Sequence, residues 1–283
     1  MNRVRGWDPL MGMNARNQLI AQVNAADAIR LVNNKYETKL ALTEVGAPTS
    51  PTVLVVRSRR EIARIDWDAM PADWALKPNQ SLGGSGILLA DQRIDGTWRS
   101  PSGKPLPLPT IVNHVRRILD GDFSPRITDW ALFEPLIRTH PAMAALSFQG
   151  LPDIRVICVG DQPRLAMLRL PTKHSGGRAN LHQKAVGAAV DLASGTVTRA
   201  VVGKREIADH PDTGHRLIGA AIPRWPSVLA AAARCAAATG LRYLGADIVI
   251  DADRGPLILE VNARPGLQIQ NITGRGLGSA VRL

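Results

Sequence analysis

The chain has 283 residues, 45% of them apolar, which is enough for one large core or two smaller ones and too apolar for a disordered segment. Only 4% are aromatic, which argues against a reader of single-stranded nucleic acid by stacking; a formal net charge of +11 favours other anionic partners, such as nucleotides or acidic peptides. The longest apolar run, residues 228–241, is interrupted by Arg234 and too short to cross a bilayer, so no membrane span is expected.

Met1, Asn2, Arg3, Val4 and Arg5 include two basic residues but precede no apolar stretch, so they do not read as a secretory signal. Residues 14–33 predict a helical entry segment with Leu19, Ile20, Val23, Ile29 and Leu31 as its apolar points. Residues 35–45 continue helically until Gly46 and Pro48. Residues 52–56 read as a buried strand, after which Ser58 caps a short helix to Ile65. Residues 74–78 form a short strand, followed by a loop containing Gly83, Gly84, Ser85 and Gly86, and a strand over 87–90. Residues 101–109 are turn-rich. Thr110 then caps a helix with Ile111, Val112, Val115, Ile118 and Leu119 on one face, closed by Gly121.

Strands dominate the second half. Residues 154–159 and 165–170 flank a turn at 160–163; residues 186–192 and 196–202 flank another at 193–195. Between these hairpins, 172–184 is a polar loop. Ser227 begins an Ala-rich helix that ends at Gly240, and the tail after Asn271 is Gly-rich and basic. Cys158 and Cys235 each lie in an apolar run with no metal-ligand spacing and read as buried reduced thiols, which points to the cytoplasm. The pattern predicts an α+β protein of two lobes: an N-terminal helical segment over 1–33, a first lobe over 34–135 and a second over 136–283.

The sharpest local signal is a final hairpin, residues 243–250 and 256–261. A turn centred between Asp253 and Arg254 places Asp247 directly opposite Glu260, on one face with Asn262. Two carboxylates that close repel unless a cation lies between them. Two carboxylates and an amide carbonyl are the hard oxygen set that suits Mg²⁺. A solvated edge hairpin is the competing reading, but both acids interrupt otherwise apolar strands, where uncompensated charge is costly. Ala263, Arg264, Pro265 and Gly266 follow as a turn that aims N–H groups and a guanidinium at the same space.

These residues resemble the metal-binding end of ATP-grasp enzymes, in particular the RimK-type glutamate ligases and the alpha-L-glutamate ligase-like, sugar-transfer-associated branch. Asn262 to Leu267, followed by Gly274, Arg275, Gly276 and Leu277, is similar to that branch's ending. The resemblance extends backward through Arg178, Ala179, Asn180, Leu181 and His182, a polar loop, and Asp153, Ile154, Arg155 and Val156, a first hairpin. Further upstream it takes in Phe133, Glu134 and Pro135, like an adenine hinge, and Lys77 before the Gly83–Gly86 loop; it begins at Asn34 and Lys35. It covers roughly residues 33–272.

The resemblance implies an ATP-grasp fold of two α+β lobes with nucleotide bound between them, here lacking most of the usual preceding domain. It implies ATP with one or two Mg²⁺, or Mn²⁺, held by Asp247, Glu260 and Asn262. Lys35, Lys77, Gly83, Gly84, Ser85, Gly86, Glu134 and Asn180 would serve the nucleotide; Arg155, Arg178 and Arg264 would grip the donor carboxylate and the acyl phosphate, with His182 beside Asn180 as a positioning candidate. The activity implied is a carboxylate–amine ligase acting on small-molecule or peptide substrates, with glutamate one candidate donor. Arg264 departs from the small residue that glutamate ligases commonly carry. With little chain before Lys35, the acceptor site would be open, or completed by a second copy or a partner subunit. The alternatives are an ATP-grasp kinase, which needs a general base that no residue here suggests, and an inactive basic module that binds anions or nucleic acid. No Gly-Lys-Ser/Thr sequence of the P-loop type is present.

Overall fold

The N-terminal segment forms two helices where one was expected. α1 (Met13–Val23) and α2 (Ala26–Val32) part at Asn24, an extended residue whose side chain is engaged elsewhere. Its Oδ1 accepts the N–H groups of Arg242 (2.8 Å) and Tyr243 (3.0 Å), and its Nδ2 donates to the Tyr243 carbonyl (2.8 Å). These bonds describe a computed structural model, which covers residues 9–81, 83–124 and 128–278; the expectation for Met1 to Arg5 lies outside the described residues. Replacing Asn24 by Ala would leave buried backbone groups without partners. The expected cost is about 1–3 kcal/mol, read as a lower urea midpoint at an unchanged m-value.

After α3 (Lys35–Glu44), Gly46 turns the chain at φ +65°, and the Ala47 N–H returns to the Leu42 carbonyl at 2.8 Å. The chain divides into two compact units, one of residues 34–39 and 50–137, the other of 1–33, 40–49 and 138–283.

The smaller unit holds β1 (Leu54–Val56), α4 (Arg59–Ile62), β2 (Trp74–Pro78), β3 (Leu88–Ala90), β4 (Gln92–Ile94), β5 (Thr97–Arg99), β6 (Pro105–Leu106), α5 (Leu108–Leu119) and β7 (Ala131–Glu134). Four strands pair in the order β1-β7-β2-β3, all antiparallel. Trp74, Leu76 and Phe133 face the apolar side of α5, where Ile111, Val115 and Ile118 are fully buried. Two expected caps fail. The Ser58 hydroxyl donates to Glu61 Oε1 (3.3 Å) and caps no backbone N–H, and α5 starts at Leu108, before Thr110, because Pro107 is its N-cap. The stretch expected as turns, 101–109, contains β6, the edge of a small three-stranded sheet.

The larger unit adds α6 (Pro141–Ala145), β8 (Asp153–Val159), β9 (Gln162–Leu170), β10 (Val186–Val190), β11 (Val197–Val202), β12 (Arg205–Ile207), α7 (Trp225–Thr239), β13 (Tyr243–Asp251), β14 (Gly255–Asn262) and α8 (Gln268–Thr273). Its seven strands pair antiparallel in the order β12-β11-β10-β9-β8-β13-β14. α7 begins at Trp225 after an Arg224 in the left-handed region, so Ser227 lies inside the helix instead of starting it. α8 runs into the Gly-rich tail as far as Thr273.

Alternation gives this sheet two different faces. Ile154, Val156, Cys158, Leu168 and Ile248 pack with α7 in one core. Ile157, Val159, Leu165, Met167 and Tyr243 point the other way and are covered by Leu19 and Ile20 of α1 and Ile269 and Ile272 of α8. Cys158 and Cys235 are free and fully buried in the first core. Burial raises both thiols, Cys158 up to about 12. Among the described residues no helix is long and apolar enough to cross a membrane.

Candidate active site

The second sheet face changes character along its strands. Beyond the apolar patch under α1 and α8, the same alternation brings up Asp153 and Arg155 on β8, Arg169 on β9, Asp247 on β13 and Glu260 and Asn262 on β14. The register sets Asp247 against Glu260 on one side and against Arg155 on the other, with Gly245 opposite Asn262. The Asp247–Glu260 pairing agrees with expectation by a different route. The turn is centred on Asp253, where Asp251 pairs with Gly255; an irregularity between Asp247 and Ile248 then shifts the register by one.

The cation beside Asp247 in this structure is a guanidinium. Arg155 donates from Nε to Oδ1 (2.7 Å) and from Nη2 to Oδ2 (2.5 Å). Arg169 Nη2 reaches the same Oδ2 at 2.9 Å, and Asn262 Nδ2 donates to it at 3.2 Å. Arg169 also forks onto Asp153, at 2.5 and 2.7 Å. Two acids and two guanidiniums thus form a network whose formal charges balance. Burial pushes the Asp247 carboxyl up, but Arg155 and Arg169 outweigh it and hold the group well below the usual range. Asp153 goes the other way: burial raises it, against the pull of Arg169 and with the repulsion of Asp247.

A carboxylate offers about four lone-pair sites. Among the described residues Asp247 Oδ2 accepts three N–H groups and Oδ1 accepts one, so Oδ1 is the less loaded of the two oxygens. Asn262 engages Asp247 through its amide nitrogen, which keeps its carbonyl oxygen as the acceptor end. The donor chemistry therefore fits a hard divalent cation, although among the described residues no cluster of three His, Cys, Asp or Glu is present.

Arg155 binds Asp247 and so contacts the expected metal residue instead of open space. Arg264 is exposed in the turn after β14. That turn folds back over β13: a Cβ on Gly245 would lie 2.8 Å from Pro265 Cβ. Arg178 and His182 are exposed in the 172–184 loop, and the Asn180 side chain caps a 3₁₀ turn by accepting from His182 N (3.0 Å). Among the described residues no hydrogen bond joins Arg178 or Asn180 to the Asp247 group. Arg169 was not expected. Its signal is weak: it stands opposite Asp153 only because the β8–β9 ladder also shifts, between Ile157 and Cys158.

In the smaller unit Lys77 and Glu134 meet: Nζ to Oε2 is 2.7 Å, and Glu134 is 4% exposed. A second, unexpected lysine takes the other oxygen, Lys39 Nζ to Oε1 at 2.5 Å. Lys39 lies one helical turn after Lys35 on the same face of α3, a spacing that was available to find it. Burial would raise the Glu134 carboxyl, yet the two ammonium groups bring it below its ordinary value. Lys35 Nζ donates to the carbonyls of Ser81 (2.6 Å) and Asn79 (3.3 Å), at the root of the glycine loop.

Gly83, Gly84 and Gly86 all have positive φ, which glycine adopts at low cost. Gly86 is anchored. His114 Nε2 lies 2.8 Å from its carbonyl and so donates the bond, and a Cβ there would lie 2.4 Å from the Phe123 ring. Burial lowers the His114 pKa and outweighs the bond to Gly86, which acts in the opposite direction.

The sequence from residue 14 to 282 matches the family described as sugar-transfer associated ATP-grasp. Over 119 residues the chain is 30% identical to a "Probable alpha-L-glutamate ligase" of Sodalis glossinidius (strain morsitans), a match spanning 42% of this chain and 29% of that relative. The D-alanine--D-alanine ligase of Bacillus anthracis superposes with a TM-score of 0.50 at 12% identity, covering 95% of this chain and 72% of that one. The ATP-grasp ligase PsnB, solved with a minimal precursor, gives 0.47 at 17% identity over 92% and 62% of the two chains.

Proposed function

Because the chain belongs to the sugar-transfer associated ATP-grasp family, we propose that it is an ADP-forming carboxylate–amine ligase. The observation that carries this reading is the opposition of Asp247 and Glu260 across the β13–β14 ladder, with Asn262 on the same face and Arg155 alongside.

A carboxylate does not acylate an amine at neutral pH, because its oxygen is a poor leaving group. In the proposed reaction a carboxylate oxygen attacks the γ-phosphorus of ATP and the bond to the bridging oxygen breaks, giving an acyl phosphate and ADP. The amine then adds to the acyl carbon, loses a proton and expels inorganic phosphate, leaving an amide. The protein's part is alignment and charge stabilisation.

Asp247 Oδ1, Glu260 and the Asn262 carbonyl would hold Mg²⁺ or Mn²⁺, which when bound neutralises charge on the β- and γ-phosphates. Lys77, fixed by Glu134, and Lys35, fixed by the Asn79 and Ser81 carbonyls, are the phosphate cations of the smaller unit. Gly83, Gly84, Ser85 and Gly86 cover the phosphates with backbone N–H groups. Glu134 also ends β7 where the adenine is expected, and Asn180 serves the nucleotide from its loop. Arg155, Arg178 and Arg264 bind the donor carboxylate and the acyl-phosphate oxygens. Arg155 would do so while still bound to Asp247, since a guanidinium has five N–H groups and that contact takes two. The substrates are a small or peptide carboxylate and an amine.

The test is ADP release with Mg²⁺ against a panel of amino acids and acidic peptides, with mass spectrometry of the product. An added mass equal to a donor minus water supports the ligase. A phosphoester product replaces this reading with a kinase. No change in melting temperature with MgADP ends both.

A further inference from the structure

The N-terminal helices reach the charged end of the sheet as well as its apolar patch. Arg16 on α1 donates from Nη1 to the carbonyl of Pro265 (3.2 Å), the residue that stands over Gly245. Gly245 is two residues along β13 from Asp247, about 7 Å at the rise of a strand. Between α1, α2 and this turn lies a cavity of about 380 Å³, lined by Arg16, Asn17, Ile20, Ala21, Ile29 and Arg264. Its size falls at the small end of ligand pockets, roughly 300–1,000 Å³.

The lining is one-sided in charge. Among the described residues it contains two guanidiniums and no acid. Arg16 places Nε and Nη2 on Asn17 Oδ1 (3.2 and 2.9 Å) and Nη1 on Pro265, which takes three of its five N–H groups. Among the described residues the Arg264 guanidinium has no acceptor. Two cations that share a cavity repel, and an anion between them removes the penalty. The remainder of the lining is the Asn17 amide, which already holds Arg16, and the apolar Ile20, Ala21 and Ile29.

We propose that this cavity is a substrate pocket for a carboxylate carried on a short apolar body, gripped by Arg16 and Arg264 and seated on Ile20 and Ile29. The inference rests on the ligase reading for the identity of the ligand as substrate. It makes the N-terminal segment a recognition element, with Arg16 as its specificity residue. The ligand is either the acid that becomes the acyl phosphate or the carboxylate end of the amine, and its chemistry at this pocket is the same.

The experiment titrates the protein with 4-methylpentanoate, leucine and the neutral 4-methylpentanamide, each with and without MgADP, and follows binding by saturation-transfer NMR. The carboxylates are expected to bind and the amide not. Arg16→Ala, and Ala21→Glu on the exposed side of α1, are each expected to weaken binding by about tenfold or more, while Arg16→Lys retains part of it. Melting temperatures near wild type establish that the variants fold. With ¹⁸O in the carboxylate, label in the released phosphate identifies the acyl donor, and its absence during turnover identifies the amine. Equal binding of the amide, variants that bind as wild type does, or no probe bound while MgADP raises the melting temperature each overturn the pocket and leave the ligase reading standing. Carboxylate binding without any MgADP effect has the opposite meaning.

Discussion

Asp247→Asn is expected to lower ADP release on the order of 10³-fold and to destabilise the larger unit by about 3–5 kcal/mol. The two effects have separate causes. The stability loss follows from the network: an amide keeps the shape of the carboxylate but takes from Arg155 and Arg169 the charge that they share, leaving Asp153 on Arg169. The activity loss follows from the ladder, because a neutral group opposite Glu260 weakens the hold on a divalent cation. Glu260→Gln separates them. Glu260 is only half-buried and is expected to lose comparable activity at a smaller cost in stability. The measurements are ADP release, Mn²⁺ affinity by electron paramagnetic resonance, and urea unfolding. An Asp247→Asn protein with full Mn²⁺ affinity and full turnover would remove the hairpin from the mechanism.

Glu134→Gln should cost about 3–5 kcal/mol as well, on the order of 10 °C in melting temperature for a chain of this size. Glu134 is the shared counter-ion of Lys39 and Lys77, and all three are largely buried. An amide in its place leaves two ammonium groups to repel one another, and MgADP affinity should fall with the disturbed lysines. The pH dependence has a definite sign. The folded-state value of Glu134 is depressed, so its contribution is present above the ordinary glutamate range and is lost as pH falls through and below it. Wild type and Glu134→Gln should therefore differ most near neutrality and converge in acid. A gap that is flat from pH 7 to pH 3 would contradict the ion-pair account.

Local chemistry made some of this readable in the sequence, and tertiary contacts concealed the rest. Asp247, Glu260 and Asn262 stand out because acids in apolar strands need a reason, and their common face follows from alternation alone. Their register is less transparent. The turn lies half a residue from where composition puts it, and the ladder irregularity that restores the pairing has no signature in residue type. Lys39 hides behind Lys35 because any exposed helix carries lysines at that spacing; only the buried Glu134 on β7 distinguishes it. Ser58 and Thr110 have capping side chains, but cap geometry is set by where the backbone enters the helix, and Pro107 takes that position from Thr110. The break at Asn24 is likewise invisible locally, since its cause is the backbone of Arg242 and Tyr243, far along the chain.

The two thiols give the fold a built-in reporter. Cys158 on β8 and Cys235 on α7 lie in the same layer between sheet and helix, fully shielded and far from the thiolate form. An alkylating reagent can reach them only when that layer opens, so the rate of modification counts those openings. Substrates that close the layer would slow labelling, and the protein can be followed in this way without adding any probe of its own.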